Sequence, residues 1–137
     1  MPVHHPGLDT RPKCHAIFDS RPEAAADARD LARAYVDSLS PSVDEQAAAS
    51  VALVVSELAT NAVRHASGPT FSLRLWARPD DIAVVVTDSD PRPPRERQPD
   101  LTGESGGFGW PMVQSLARTV TISAGPGGKS IRAHLPR

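Results

Sequence analysis

Apolar residues recur at Ala24, Ala28, Leu31, Ala32, Tyr35 and Leu39, the three-and-four spacing that lays one stripe along a helix. This predicts a helix over residues 23–39, with Pro22 at a first-turn position where its missing N–H is not needed. Ser40-Pro41 ends that helix, and Ser42, Val43, Asp44 and Glu45 read as a capping box opening a second one. The second helix is predicted to run to about residue 66, through a proline-free, alanine-rich stretch of strong helix formers. Ser67-Gly68-Pro69 stops it. Strand patterns occupy the rest. Residues 14–18 form a short one ended by Asp19-Ser20. Residues 70–77 alternate, with Phe71, Leu73 and Leu75 on one face, and Pro79-Asp80-Asp81 turns them into a β-branched run over 82–87, a hairpin. Met112, Val113, Leu116 and Ala117 mark a third helix, and residues 119–124 and 130–135 pair around Gly125-Pro126-Gly127-Gly128. The order β-α-α-β-β-loop-α-β-β predicts an α+β fold: a two-layer sandwich with a mostly antiparallel sheet and helices on one face.

A chain of 137 residues accommodates one domain. Residues 1–12 hold three prolines and no periodicity, so they read as a mobile tail before a single domain over 13–137. The formal net charge of −1 argues against binding duplex nucleic acid through bulk charge. Aromatic residues make up only 4%, which leaves no stacking platform for single strands. Cys14 has no partner for an internal disulfide, and His4 and His5 lack a third metal ligand nearby. The N-terminus carries no apolar leader, and no apolar run approaches the ~20 residues of a membrane span. The expectation is a soluble, cytoplasmic domain.

The second helix carries a polar stripe. At about 100° per residue, Ser50, Glu57, Asn61 and Arg64 fall within about 60° of one another, while Val51, Val55, Leu58, Ala62 and Ala66 lie on the far side. Most such stripes are solvated faces, and Glu57 with Asn61 is an ordinary i, i+4 pair. Asparagine is nevertheless a poor helix-interior residue. A carboxylate and a carboxamide one turn apart also suit metal-assisted phosphoryl transfer: the amide oxygen is a hard, neutral ligand for Mg²⁺, and the carboxylate can take a proton from a hydroxyl.

The sequence ELATNAVRHA from Glu57 resembles the N box of the GHKL ATPase superfamily. VSELATNAVRHA over residues 55–66 is most similar to the small anti-sigma-factor serine kinases within it. The likeness can be followed from about residue 15 to 135. It implies that Asp88, at the end of the strand over 82–87, accepts the adenine amino group. It implies that Gly107 and Gly109, in GGFGWPMV, let backbone amides approach phosphates at a helix N-terminus. The proline-rich segment DSDPRPPRERQPDLTGES over 88–105 resembles a shortened ATP lid. Ser130 stands where relatives carry a hydroxyl near the adenine and its water, and Arg64 faces either the phosphates or solvent. Asp90 and Arg92 depart from the pattern, which has glycines there in much of the superfamily. Gly125-Pro-Gly-Gly-Lys-Ser130 is not a P-loop: Ser123 stands where that motif needs glycine, and a strand rather than a helix follows Lys129.

The resemblance implies an ATP-dependent serine/threonine protein kinase that binds a sigma factor and phosphorylates an anti-anti-sigma antagonist. Glu57 would be the general base, Asn61 the Mg²⁺ ligand, and Asp88, Gly107, Gly109, Ser130 and Arg64 the nucleotide-binding set. No phosphoacceptor-histidine hairpin precedes the N box, so a full sensor histidine kinase is not expected, and His65 reads as a helix-face residue. The alternative is a non-catalytic module of the same fold that sequesters a protein partner with weak or no ATP use, which the substitutions at Asp90 and Arg92 favour. DNA binding through Arg92, Arg95 and Arg97 is a third reading, diluted by Glu96, Asp100 and Glu104. A homodimer is compatible with all but fixed by none.

Overall fold

The computed structural model describes residues 14–65, 68–90 and 109–137. The expected tail, Ala66, most of the lid-like segment with Arg92, Arg95 and Arg97, and Gly107 lie outside these residues. The elements follow the predicted order. They are β1 (Cys14–Asp19), α1 (Glu23–Asp37), α2 (Glu45–His65), β2 (Thr70–Ala77), β3 (Asp81–Asp88), α3 (Gly109–Leu116), β4 (Thr119–Gly125) and β5 (Gly128–Pro136). The five strands form one sheet in the order β1-β2-β3-β5-β4, with every neighbouring pair antiparallel.

The period-two pattern sorts the sheet into two faces. Phe71, Leu73 and Leu75 of β2, Ile82, Val84 and Val86 of β3, and Ile131, Ala133 and Leu135 of β5 join one buried cluster with the helices. Val51, Val55, Leu58 and Ala62 of α2 belong to the same cluster, so the far side of the polar stripe is the side that packs. Ala24, Ala28, Ala32 and Val36 bring the small-residue face of α1 into it. The Tyr35 hydroxyl then accepts the Ala77 N–H at 2.9 Å, tying α1 to the end of β2. Part of the opposite sheet face is also buried, around Trp76, Ala83 and Val85, with the Arg132 guanidinium 5.2 Å from the Trp76 ring centre. That contact is a cation–π pair.

Two expectations about α2 need correction. The helix starts at Glu45 rather than through a box built on Ser42. Its cap is Asp44, whose Oδ1 accepts the Ala47 N–H at 2.8 Å, the N-cap to N3 bond that satisfies an otherwise orphaned donor. Glu45, the glutamate assigned to reach back, pairs instead with Arg33 of α1. The stretch Glu45–Arg64 is also long and apolar enough, by length and composition alone, to cross a bilayer. Its apolar face is nonetheless committed to the protein core.

Candidate functional site

The polar stripe of α2 lies on the side of the helix turned away from the core cluster. Glu57 and Asn61 are half-buried and Arg64 is exposed. α2 packs against α3, β3 and β5, and on the stripe itself it is Glu57 that meets the start of α3.

The contact at α3 is close. A Cβ on Gly109 would stand 2.6 Å from Glu57 Oε2, inside any allowed separation, so only glycine lets the carboxylate lie against the first turn of α3. This brings together the carboxylate expected as base and a glycine expected at the phosphates. One turn along α2, the Asn61 Nδ2 is buried with no hydrogen-bond partner among the described residues. A buried amide without a partner is costly and uncommon. The orphan is a donor, so what completes it is an acceptor such as an anionic oxygen.

The other end of the site differs from expectation. Asp88 ends β3 on the helical face, in line with Val84 and Val86, and is only 5% exposed. Its carboxylate is already occupied. Lys129 Nζ donates to Asp88 Oδ1 at 3.1 Å and to Oδ2 at 3.0 Å, and Asp88 Oδ1 also accepts the Asp90 N–H at 2.8 Å. The third ammonium donor goes to the Asp90 carbonyl oxygen at 3.1 Å. Lys129 is 3% exposed. All its donors are therefore engaged within the protein.

The register explains why Lys129 and not Ser130 stands there. β3 and β5 pair with Asp88 opposite Lys129 and Thr87 opposite Ser130. Successive residues of a strand point to opposite faces, so a one-residue difference exchanges the sides. Ser130, which the resemblance puts near the adenine and its water, shares a hydroxyl–hydroxyl hydrogen bond with Thr87 at 2.8 Å on the face away from α2. Gly128 makes the arrangement possible. Its φ is +140°, and a Cβ there would stand 2.1 Å from the Asp88 carbonyl oxygen. The backbone of β5 can thus press against the end of β3 and deliver the next side chain straight onto the aspartate.

In the sequence, Lys129 stands out only as the lysine of a false P-loop. The signal that could have found it was present: Lys129, Ile131, Ala133 and Leu135 alternate onto one face, so a lysine continues the inward-facing row. The nucleotide-site candidates therefore fall into two groups. Glu57, Asn61 and Gly109 adjoin one another across α2 and α3, with Arg64 exposed beyond them. Asp88 forms a sealed second group with Lys129, and Ser130 lies on the far face.

Known proteins share this fold. The model for the Histidine kinase-like ATPase domain matches residues 18–135. The RsbU and RsbW domains of Rv1364c from Mycobacterium tuberculosis superpose with a TM-score of 0.67 at 18% identity, over 92% of this chain and 34% of that one. The histidine kinase domain of a blue-light activated histidine kinase from Erythrobacter litoralis EL346 superposes with a TM-score of 0.53 at 22% identity. That match covers 82% of this chain and 60% of the other. This chain thus spans about a third of the first structure and three-fifths of the second, and the likeness at these identities is one of fold. The comparison with curated proteins gave no match. With nearly the whole folded region covered by the family model, the chain belongs to the Histidine kinase-like ATPase domain family.

Proposed function

We propose that this chain is an ATP-binding regulatory serine/threonine protein kinase of the anti-sigma type, which binds a sigma factor and phosphorylates an anti-anti-sigma antagonist. The observation that carries this reading is the packing of Glu57 against Gly109, with the unpartnered Asn61 Nδ2 donor one helical turn away. The family membership and the fold likeness to a structure containing an RsbW domain support it. The reading carries a cytoplasmic location with it.

Mg²⁺, when bound, supplies charge neutralisation at the phosphates, which together with positioning accounts for most of the acceleration in such transfers. Asn61 would hold it through the amide oxygen, which leaves the Nδ2 donor free to meet a phosphate oxygen. Glu57 accepts the proton of the antagonist's serine or threonine hydroxyl as that oxygen attacks. Gly109 leaves room for the Glu57 carboxylate beside the first turn of α3, a helix N-terminus where backbone N–H groups favour anionic oxygen.

The deciding experiment is transfer of labelled phosphate from ATP to candidate antagonists, with Mg²⁺ present and absent. Mg²⁺-dependent label on a serine or threonine is the expected result. One observation favours a second reading, a module that sequesters its partner without catalysis: the Asp88 carboxylate is engaged by Lys129 rather than open to a base. Normal partner capture with no transfer to any antagonist would make that module the better account.

A further inference from the structure

We infer that Lys129 determines nucleotide specificity by acting as an internal occupant of the base-reading carboxylate, so that the site selects a nucleoside triphosphate by its phosphate end and leaves the base unread. The inference rests on the nucleotide-binding reading above and concerns which nucleotides that site takes.

An aspartate reads adenine by accepting a hydrogen bond from the exocyclic amino group. At Asp88 that role is filled from inside the protein. An ammonium reaches both carboxylate oxygens at 3.0–3.1 Å, and the Asp90 N–H adds a further donor at 2.8 Å. Charge-assisted hydrogen bonds of this kind are about twice as strong as neutral ones, so a neutral amino group is the weaker competitor for the same oxygens. The lysine offers a base nothing in return, since its remaining donor is held by the Asp90 carbonyl oxygen. Gly128 and the strand register fix this geometry through the backbone. At the other end, Glu57, Asn61 and Gly109 form a group that involves neither Asp88 nor Lys129. Binding energy therefore comes from the phosphate end, which every nucleoside triphosphate shares.

The test compares ATP with ITP, which replaces the amino group by a carbonyl, each titrated calorimetrically with Mg²⁺ into the wild-type chain and into Lys129→Thr. The wild-type chain is expected to bind the two within about threefold of each other. In Lys129→Thr, Asp88 becomes free to read the base, and ATP should gain tenfold or more over ITP, the direction in which a site built to hydrogen-bond a group rejects its analogue. The wild-type comparison needs no variant, so it stands even if Lys129→Thr does not fold. A wild-type preference for ATP of tenfold or more overturns the inference and leaves the nucleotide-binding reading intact. An unchanged ATP-to-ITP ratio in folded Lys129→Thr also overturns it. Absence of binding by either nucleotide to both chains overturns the inference and the nucleotide-binding reading together.

Discussion

Glu57 Oε2 lies where the Cβ of any residue other than glycine at position 109 would have to go, 2.6 Å from that point. The carboxylate assigned as base and the opening of α3 are thus positioned by each other. Gly109→Ala should fold, because the displaced atom is the far end of a flexible side chain. It should nonetheless move the carboxylate and lower phosphoryl transfer by about tenfold or more, since small misplacements of reacting groups are expensive. Circular dichroism alongside transfer kinetics checks both halves.

Glu57 and Asn61 occupy one helix face and carry different assignments, so their variants should fail differently. Glu57→Gln keeps the size, retains Mg-ATP binding and loses transfer by about 10²–10⁴-fold, the scale of general-base catalysis. Asn61→Ala should weaken binding in the presence of Mg²⁺ far more than in its absence. Calorimetry with and without the metal separates the two, and identical losses of binding in both variants would contradict the assignment.

Asp88 and Lys129 form a buried ion pair, 5% and 3% exposed. Asp88→Asn strands the ammonium and should destabilise the fold by about 3–5 kcal/mol, whereas replacing both residues by apolar ones of similar volume should recover most of that loss. Urea denaturation of the single and double variants checks the cycle.

Stability should also depend on pH through the corner where β2, β3 and β5 end. His134 Nδ1 accepts a hydrogen bond from Arg78 at 2.8 Å. Burial first, then the Arg78 and Arg132 charges, push the imidazole below the ordinary 6.5, although Asp81 pulls the other way. The unfolded chain therefore takes up this proton first as pH falls. The contribution of His134 is complete above about 6.5 and is lost as pH drops from there through the lower folded value. Hydrogen bonds from Arg78 hold the Asp81 carboxyl below its usual range, so its contribution disappears only at more acid pH, below the ordinary carboxylate value. Melting temperatures across pH 5–8 should fall on the acid side in the wild-type chain and flatten in His134→Gln.

The elements were legible because their signals are local. The strand over 70–77 coincides with its prediction, and its inward residues Phe71, Leu73 and Leu75 are the ones the alternation named. The packing side of α2 also followed from its spacing. What stayed hidden depends on partners distant in the chain. Glu45 looks like a capping glutamate until α1 brings Arg33 to it. The resemblance names Ser130 by its hydroxyl, and only pairing with β3 shows that it meets Thr87 while Lys129 meets Asp88. Hydroxyl chemistry suggested one residue; strand parity chose its neighbour.

The Asp88–Lys129 pair also constrains the history open to this chain. Loss of the aspartate first leaves an ammonium with only the Asp90 carbonyl oxygen for company. Loss of the lysine first leaves a carboxylate that holds only the Asp90 N–H. Either order of substitution passes through a buried charge with a single remaining hydrogen bond, so descendants that abandon the pair should change both positions together.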